Sequence, residues 1–536
     1  MSVGAESRGR HILDLMSGAP TGECRVQFVT PRGVRETTFA DLWLLSGRAA
    51  RAVKKLPAGR VAGILTPSPE MVAFFVGCLR AGRDFVSLPL PGRGQEADAY
   101  QAQLRLIAEL SEASVVTVEA AYADLLRAVG APSVPIAVVE GLLEAVGEAT
   151  VGSPGDPEPG DLIQFSSGTT GAPKGVRLAG TALGASVEAT LDALGVGGAP
   201  EVFCAWVPLS HDMGLVGGLL GSWVGNTRTR PGYRYICISP ELFIARPLLW
   251  LETCSANRAT FTASPTFAYG VLARHLARGP TLDLSSLRAA LVGAEPIGPH
   301  TLQSFAAGAF PHGFREMALC PAYGLAEAAL VVSVVRPGEG WSSRTVSMDG
   351  RPGTYVSCGR TLDCVRVTAP DVDTGPGPIR VGGAAMCREI LSSTLSRPGE
   401  WLDTGDLGVL AEGELLVTGR ADDLLCVGGR NVFAWELERA AATLSGIRSG
   451  DCAVVTDGRG RYAVLFEARH SPDDELGPLL REVRRRLVSE AGIGPSAVGC
   501  LPRGTLPKTP SGKIRRNRIA ADLGHLSRTC LAFEEF

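Results

Sequence analysis

The chain has 536 residues, 45% hydrophobic and 20% charged, with a formal net charge of −3. That length exceeds what one core usually supports, roughly 250–300 residues, and the composition excludes a disordered chain; the near-neutral balance leaves no electrostatic footprint for nucleic acid. No apolar run approaches the roughly 20 residues of a membrane span, the opening MSVGAESRGRHILDL lacks a secretory signal's apolar stretch, and the scattered cysteines form no CxxC pair, so a reducing, cytoplasmic setting is expected.

Residues 38–54 place apolar side chains at helical spacing, 61–66 read as a short buried strand, and 71–82 as a second helix. An apolar stretch then ends in a proline-rich turn at 88–94. GSPGDPEPG at 152–160 is a loop rich in breakers that leads into a strand at 161–164. Strand–helix alternation continues to about residue 335 and predicts layered α/β sheets. From 365 to 416, short strands separated by Gly, Pro and Asp predict a β-rich subdomain. Beyond Gly419 and Arg420 come a strand at 424–427, a Gly-Gly turn and a helix near 435–444. An amphipathic helix follows at 481–490, its arginines reading as a solvated face. The fold class is therefore α/β: a large N-terminal domain, 1–419, of layered α/β sheets plus a β-rich subdomain, a connection at 420–423, and a small α+β C-terminal domain at 424–536.

The densest chemical signal is QFSSGTTGAPKGV at 164–176. Hydroxyls at Ser166, Ser167, Thr169 and Thr170 alternate with Gly168, Gly171 and Gly175, and Lys174 adds a positive charge. Glycines let backbone N–H groups approach an anion closely, and hydroxyls add donors, so the segment suits phosphate oxygens. It is not a Walker A loop, which needs Gly-Lys-Ser/Thr, because Lys174 lies between Pro173 and Gly175. Lysine occurs only at Lys54, Lys55, Lys174, Lys508 and Lys513, against a background rich in arginine. That bias fits a GC-rich genome; under it, the lysines kept in Gly/Ser/Thr-rich segments, Lys174 and Lys513, are candidates for chemistry.

This segment resembles the phosphate-binding motif of the adenylate-forming superfamily, which contains acyl-CoA synthetases, firefly-type luciferases and peptide-synthetase adenylation domains. Further matches follow in order: PLSHDMG at 208–214, VGAEP at 292–296, PAYGLAEA at 321–328, LDTGDL at 402–407, GRADDLLCVGGRN at 419–431 and LPKTPSGKI at 506–514. The HDMG, GAEP and PAYGLAEA forms, with VSCGR at 356–360, are most similar to the fatty acyl-AMP ligase branch. The resemblance implies ATP-dependent adenylation of a hydrophobic carboxylic acid, fatty or bulky, to acyl-AMP and pyrophosphate.

It also implies roles. Glu327 would hold Mg²⁺, and Tyr323 with Gly324 would flank adenine opposite the Gly293, Ala294 and Glu295 backbone. Asp406 would accept from the ribose hydroxyls, and Arg420 would contact ribose or phosphate, or else serve as a structural ion pair. Lys513 would be the catalytic lysine, His211 would border the acyl pocket, and Asp422 would be the hinge of a mobile C-terminal domain. Taken alone, a single histidine, a lone glutamate and a pair of turn acids are more often structural. The stretches 217–223 (GGLLGSW) and 262–270 (TASPTFAYG) are expected at the acyl pocket.

Ser210 and Ala434 depart from the aromatic and proline common in the branch, and the stretch between PAYGLAEA and VSCGR is short. In that branch an added segment near there disfavours CoA, so the acceptor stays open among an acyl carrier protein, CoA and a separate acyl transferase. A complete acyl-CoA synthetase is the alternative. A non-catalytic binding protein of the same fold is disfavoured by the joint presence of Lys174, Glu327, Asp406 and Lys513.

Overall fold

The computed structural model describes residues 9–18, 24–91, 97–128, 134–147, 158–166, 173–229, 232–276, 279–348, 351–427, 430–457, 461–468, 476–492, 494–508 and 514–536. The early elements follow local chemistry. Thr38 accepts from the Asp41 N–H at 3.0 Å and starts the helix Phe39–Val53. Ser68 accepts from the Met71 N–H at 3.2 Å, and Pro69 stands just inside the next helix, Pro69–Arg80, which therefore begins before the apolar run that marks it. The two helices pack so closely that a Cβ on Gly77 would lie 2.5 Å from that of Ala49. Their buried faces join one core with the strands beneath them.

Two large sheets carry the rest. The seven-stranded sheet runs in the order Glu389–Leu391, Lys174–Leu178, Leu162–Ser166, Phe85–Leu88, Arg60–Ile64, Ala113–Val118, Ile136–Val138. Its last five strands pair in parallel, whereas Leu162–Ser166 and Lys174–Leu178 form an antiparallel hairpin with Ser166 opposite Lys174. The Gly/Ser/Thr-rich motif spans the sequence between these two strands, and its residues 167–172 lie outside the described residues.

The second sheet has fourteen strands among the described residues. One half is largely parallel, built from Arg25–Thr30, Tyr233–Ile238, Glu201–Ala205, Phe261–Pro265, Ala289–Gly293 and Leu319–Gly324. At Leu319–Gly324 the direction changes: Val331–Val334 pairs with it antiparallel, and the antiparallel strands Arg351–Thr361, Glu414–Arg420, Leu402–Ala411, Gly377–Gly383 and Val365–Thr368 follow. These last strands are the predicted β-rich region. Ligands of open α/β sheets bind beyond the carboxyl ends of parallel strands, at such changes of direction. GAEP and PAYG lie at two adjacent ends of this kind.

Residues 447–535 supply a four-stranded sheet of Ile447–Thr456, Tyr462–Ala468, Ala497–Leu501 and Ala532–Glu535. Leu476–Ala491 buries Val483 and Leu487 and leaves Arg481, Arg484 and Arg485 exposed, as its amphipathic pattern predicts. The helix predicted near 435–444 spans Ala434–Ala441, and both pack into a core separate from those of the large sheets. Among the described residues no helix is long and apolar enough to cross a membrane.

Replacing Ser68 with Ala removes the cap of a helix whose interior is buried throughout. Stability is expected to fall by about 1 kcal/mol, read as a shift in the denaturant midpoint, with the structure otherwise kept.

Candidate active site

A cleft of about 1140 Å³ lies between the two large sheets and reaches residues 514–518. Of the residues singled out in the sequence, Lys174, His211, Gly293, Ala294, Glu295, Tyr323, Gly324, Glu327, Asp406, Arg420 and Asp422 all line it. Ser166 ends its strand, in register with Lys174. Ser167, Gly168, Thr169, Thr170 and Lys513 lie outside the described residues. Lys508 and Ile514, on either side of the undescribed stretch 509–513, bridge each other, and Ile514 lines the cleft.

Backbone geometry shapes the floor. A Cβ on Gly324 would lie 1.9 Å from the Leu330 carbonyl oxygen, so only glycine lets that hairpin close. Leu325 N–H donates to the same carbonyl at 2.9 Å, and Ala329 takes φ 62°. The tight turn holds Glu327 in a single 3₁₀ turn, Ala326–Ala328. Ala294 also takes a positive φ, 63°, directly after the strand Ala289–Gly293. Left-handed backbone at a non-glycine residue costs on the order of 1 kcal/mol and gathers at functional sites. The Glu295 carboxylate accepts from the Phe267 N–H at 3.0 Å, within the first turn of Thr266–Leu276, so its side chain anchors the segment.

Two charge clusters dominate. Lys174 Nζ meets Glu327 Oε1 at 2.5 Å, tying one sheet to the other. The Tyr323 hydroxyl donates to Asp406 Oδ2 at 2.6 Å, and Arg420 Nε approaches Asp406 Oδ1 at 3.1 Å. Burial pushes the Asp406 carboxyl up, opposed by the Arg420 charge, and burial beside Asp406 raises the Tyr323 phenol well above its ordinary range. Arg420 is thus an ion pair and a cleft residue at once. Asp406 keeps lone pairs beyond those two contacts, because each carboxylate oxygen accepts more than one hydrogen bond.

His211 precedes a π-helical segment, Met213–Leu220, of the kind that often marks functional sites. Its Nδ1 lies 2.5 Å from Asp212 Oδ1, and the Met213 N–H donates to that same carboxylate oxygen at 2.7 Å, which fixes the ring at the cleft wall. Of the two stretches expected at the pocket, Gly217, Gly221, Ala263, Thr266 and Phe267 line it. Leu219, Leu220 and Trp223 turn into the core instead, where Trp223 packs on Phe39 at 5.4 Å.

Sequence reasoning missed Arg516, which reaches Glu438 at 2.6 Å and Asp423 at 3.0 Å and lines the cleft. Within the run RRNR it reads as a solvated basic residue, and no local signal separates it from its neighbours. Also missed is a brace between the hairpin Ser343–Met348/Arg351–Thr361 and the C-terminal residues. Tyr355 donates to Glu436 at 2.8 Å, and the Arg351 guanidinium bonds the Glu490 carbonyl.

The chain matches the AMP-binding enzyme family over residues 20–390 and belongs to that family. A Mycobacterium tuberculosis protein named provisionally as a ligase is 30% identical over 85% of this chain and 89% of its own. A 4-hydroxyphenylalkanoate adenylyltransferase of Mycobacterium bovis is 28% identical over 91% of this chain and 86% of its own. A solved structure from studies of fatty acyl-adenylate ligases of E. coli and L. pneumophila superposes with a TM-score of 0.81 at 28% identity, covering 97% of this chain and 98% of that one. The protein is an adenylate-forming ligase, and that class of reaction uses ATP.

Tyr323→Phe keeps the ring and removes the donor to Asp406. The Michaelis constant for ATP is expected to rise about 10–100-fold, the worth of one hydrogen bond to a charged group, as measured by ATP–pyrophosphate exchange.

Proposed function

We propose that this ligase activates a hydrophobic carboxylic acid as its acyl-adenylate and passes the acyl group to a thiol on a separate acceptor. The observation that carries this reading is the convergence of Lys174, Glu327, Asp406 and Tyr323, drawn from separate segments, on one cleft with an apolar extension. In the reaction a carboxylate oxygen of the acid attacks the α-phosphorus of ATP. The bond from that phosphorus to the bridging oxygen of pyrophosphate breaks, and pyrophosphate leaves with the electron pair. Both reactants are anionic, so the protein's task is to position them and cancel charge.

The residues divide that task. The hydroxyl-rich segment of Ser166, Ser167, Gly168, Thr169 and Thr170, with Lys174, would cradle the β- and γ-phosphates. Tyr323 and Gly324, opposite Gly293, Ala294 and Glu295, would enclose adenine. Asp406, kept in place by Tyr323 and Arg420, would accept from the ribose. His211 would receive the acid at the mouth of its pocket. Lys513, next in sequence to Ile514, would reach the acid carboxylate and α-phosphate together.

Glu327 is a single carboxylate, and no cluster of three or more His, Cys, Asp or Glu side chains occurs among the described residues. Such a donor set suits Mg²⁺, whose remaining ligands are phosphate oxygens and water. When bound, Mg²⁺ supplies charge neutralisation on the phosphates. Lys174 keeps the Glu327 carboxylate aimed into the cleft.

Asp422 would serve as the pivot between residues 1–419 and the lobe at 424–536. The brace from Tyr355 and Arg351 supports a lobe held with Ile514 at the cleft, hence the adenylating arrangement. That favours an acyl carrier protein or a separate acyl transferase over CoA as acceptor. The 4-hydroxyphenylalkanoate named for the mycobacterial relative adds aromatic acids to fatty acids as candidates.

Carboxylate-dependent ATP–pyrophosphate exchange tests the reading directly. Lys513→Ala is expected to lower exchange by about 10²–10³-fold while ATP binding, measured by calorimetry, persists; undiminished exchange in that variant overturns the assignment. Removing the brace with Tyr355→Phe and Arg351→Ala together is expected to raise CoA thioester formation above the wild-type level, as read by mass spectrometry. Efficient CoA thioester formation by the wild-type chain would instead identify a complete acyl-CoA synthetase.

A further inference from the structure

Arg516 follows Lys513 by three residues, and an extended chain of that length spans about 11 Å at most. Wherever Arg516 is fixed, Lys513 is tethered nearby. The residues on either side of 509–513 are themselves held. Lys508 Nζ, on a side chain only 10% exposed, pairs with Asp451 Oδ1 at 2.5 Å, and the Arg515 N–H donates to the Pro507 carbonyl at 3.0 Å.

The Arg516 guanidinium spreads over two acids. Its Nε and Nη2 donate to the two carboxylate oxygens of Glu438 at 2.8 and 2.6 Å, and its Nη1 donates to Asp423 Oδ2 at 3.0 Å. Such forked, charge-assisted bonds fix direction as well as distance. Glu438 stands on the helix Ala434–Ala441, and its Oε1 also accepts from the Val454 N–H at 3.0 Å, so it is fastened to the strand Ile447–Thr456 too. Asp423 directly follows the proposed pivot, Asp422, and lies 93 residues from Arg516 along the chain. That path begins with Leu424–Val427 and Arg430–Phe433, which pair as a two-stranded sheet of their own among the described residues. A turn at the pivot would have to travel the whole path to reach Lys513. One side chain, Arg516, closes it directly.

A third acid acts on the same guanidinium from the N-terminal domain. Burial works against the Arg516 charge, but Glu438, then Asp423 and Glu295, raise its pKa above the ordinary value. Glu295 follows the strand Ala289–Gly293 of the large sheet, and the Phe267 N–H donates to its carboxylate. The lobe lies close at this point: a Cβ on Gly298 would be 3.2 Å from Arg439 Cδ, and one on Gly450 would be 3.5 Å from Phe267 Cβ. Arg516 is thus the place where charges of the lobe, the connection and the N-terminal domain converge.

We infer that Arg516 is the positioning residue that makes the pivot and the Lys513 segment move as one piece, and so sets where the lysine arrives. The inference rests on the proposed adenylation by Lys513 about a pivot at Asp422, and it names the residue that couples them. In this role Arg516 bonds neither the acid nor the nucleotide; it acts through Lys513. Losing the coupling leaves the nucleotide site intact and spreads the lysine over several placements, and a misplacement of about 1 Å lowers a rate about 10²-fold. An Arg516 that held phosphate directly would instead weaken ATP binding, which separates the two roles.

The test is ATP–pyrophosphate exchange by the full-length enzyme, with the best acid from a panel of fatty and aryl-terminated acids. Arg516→Gln keeps a hydrogen-bonding side chain and loses the charged fork. Its kcat is expected to fall about 10²-fold while the KM for ATP stays within about 2-fold, the pattern of an interaction used only in the transition state. Asp423→Asn leaves the Glu438 pair in place, and its kcat is expected to fall about 10-fold, again at constant KM. The double variant is expected to match Arg516→Gln alone, because both changes break one coupling. An undiminished kcat in folded Arg516→Gln or in Asp423→Asn overturns the inference. So does a raised KM with kcat kept, and so do losses that multiply in the double variant. Should Arg516→Gln fail to fold, Asp423→Asn decides by the same split. Lys513→Ala, measured alongside, separates this inference from the reading beneath it. Full exchange in that variant removes the lysine assignment itself, whereas an inactive Lys513→Ala beside a fully active Arg516→Gln removes only the coupling.

Discussion

The contact between Lys174 and Glu327 joins the two large sheets across the cleft, and the rest of the site is arranged around it. The lysine ends a hairpin of the seven-stranded sheet; the glutamate sits on a turn of the fourteen-stranded sheet, 153 residues away. Neither charge is fully solvated, and a partly buried charge without a partner costs far more than a paired one. Each therefore holds the other ready, facing the space where the proposed phosphates and metal would lie. The pair is stable without ligand, and a triphosphate with its cation presents each side chain with an opposite charge of its own. The exchange costs little because the charges are already oriented.

The second fixed point is Asp406, gripped by Tyr323 from the parallel half of the large sheet and by Arg420 from its antiparallel half. Direct pairing of Leu402–Ala411 with Glu414–Arg420 places Asp406 opposite Arg420 in the ladder, so the ion pair follows from register. Tyr323 reaches the same carboxylate only because its strand ends where the sheet changes direction. Positive φ at Ala294 and Ala329, and the close approach at Gly324, occur within the segments that form this junction. Two of the five non-glycine residues with positive φ among the described residues thus lie where the proposed nucleotide site is.

The brace between the hairpin at 343–361 and the C-terminal residues would give a physical basis for the proposed acceptor choice. A short inserted segment can still restrain a lobe if its contacts fall on the face that would have to turn. Tyr355 and Arg351 meet residues of two C-terminal helices, Ala434–Ala441 and Leu476–Ala491, so rotation would break polar contacts on both. The number of inserted residues matters less than where their side chains reach.

Much of this protein was legible one residue window at a time. The caps at Thr38 and Ser68, the amphipathic helix Leu476–Ala491 and the succession of strands and helices follow from spacing and local hydrogen bonding. So did the order of the motifs, and with it the selection of cleft residues. Local windows gave no sign of the tight turn that holds Glu327, which Gly324 and the Leu330 carbonyl close. They also misjudged Leu219, Leu220 and Trp223, because a π-helical segment rotates side chains away from the α-helical register. Arg516 and the Tyr355 brace had no local signature at all. Periodicity, caps and turn residues act over a few positions, so the sequence alone determines elements and the chemical types they carry. Which charges meet and which lobe is restrained depend on strand order and on crossovers of many residues, and those only the tertiary structure decides.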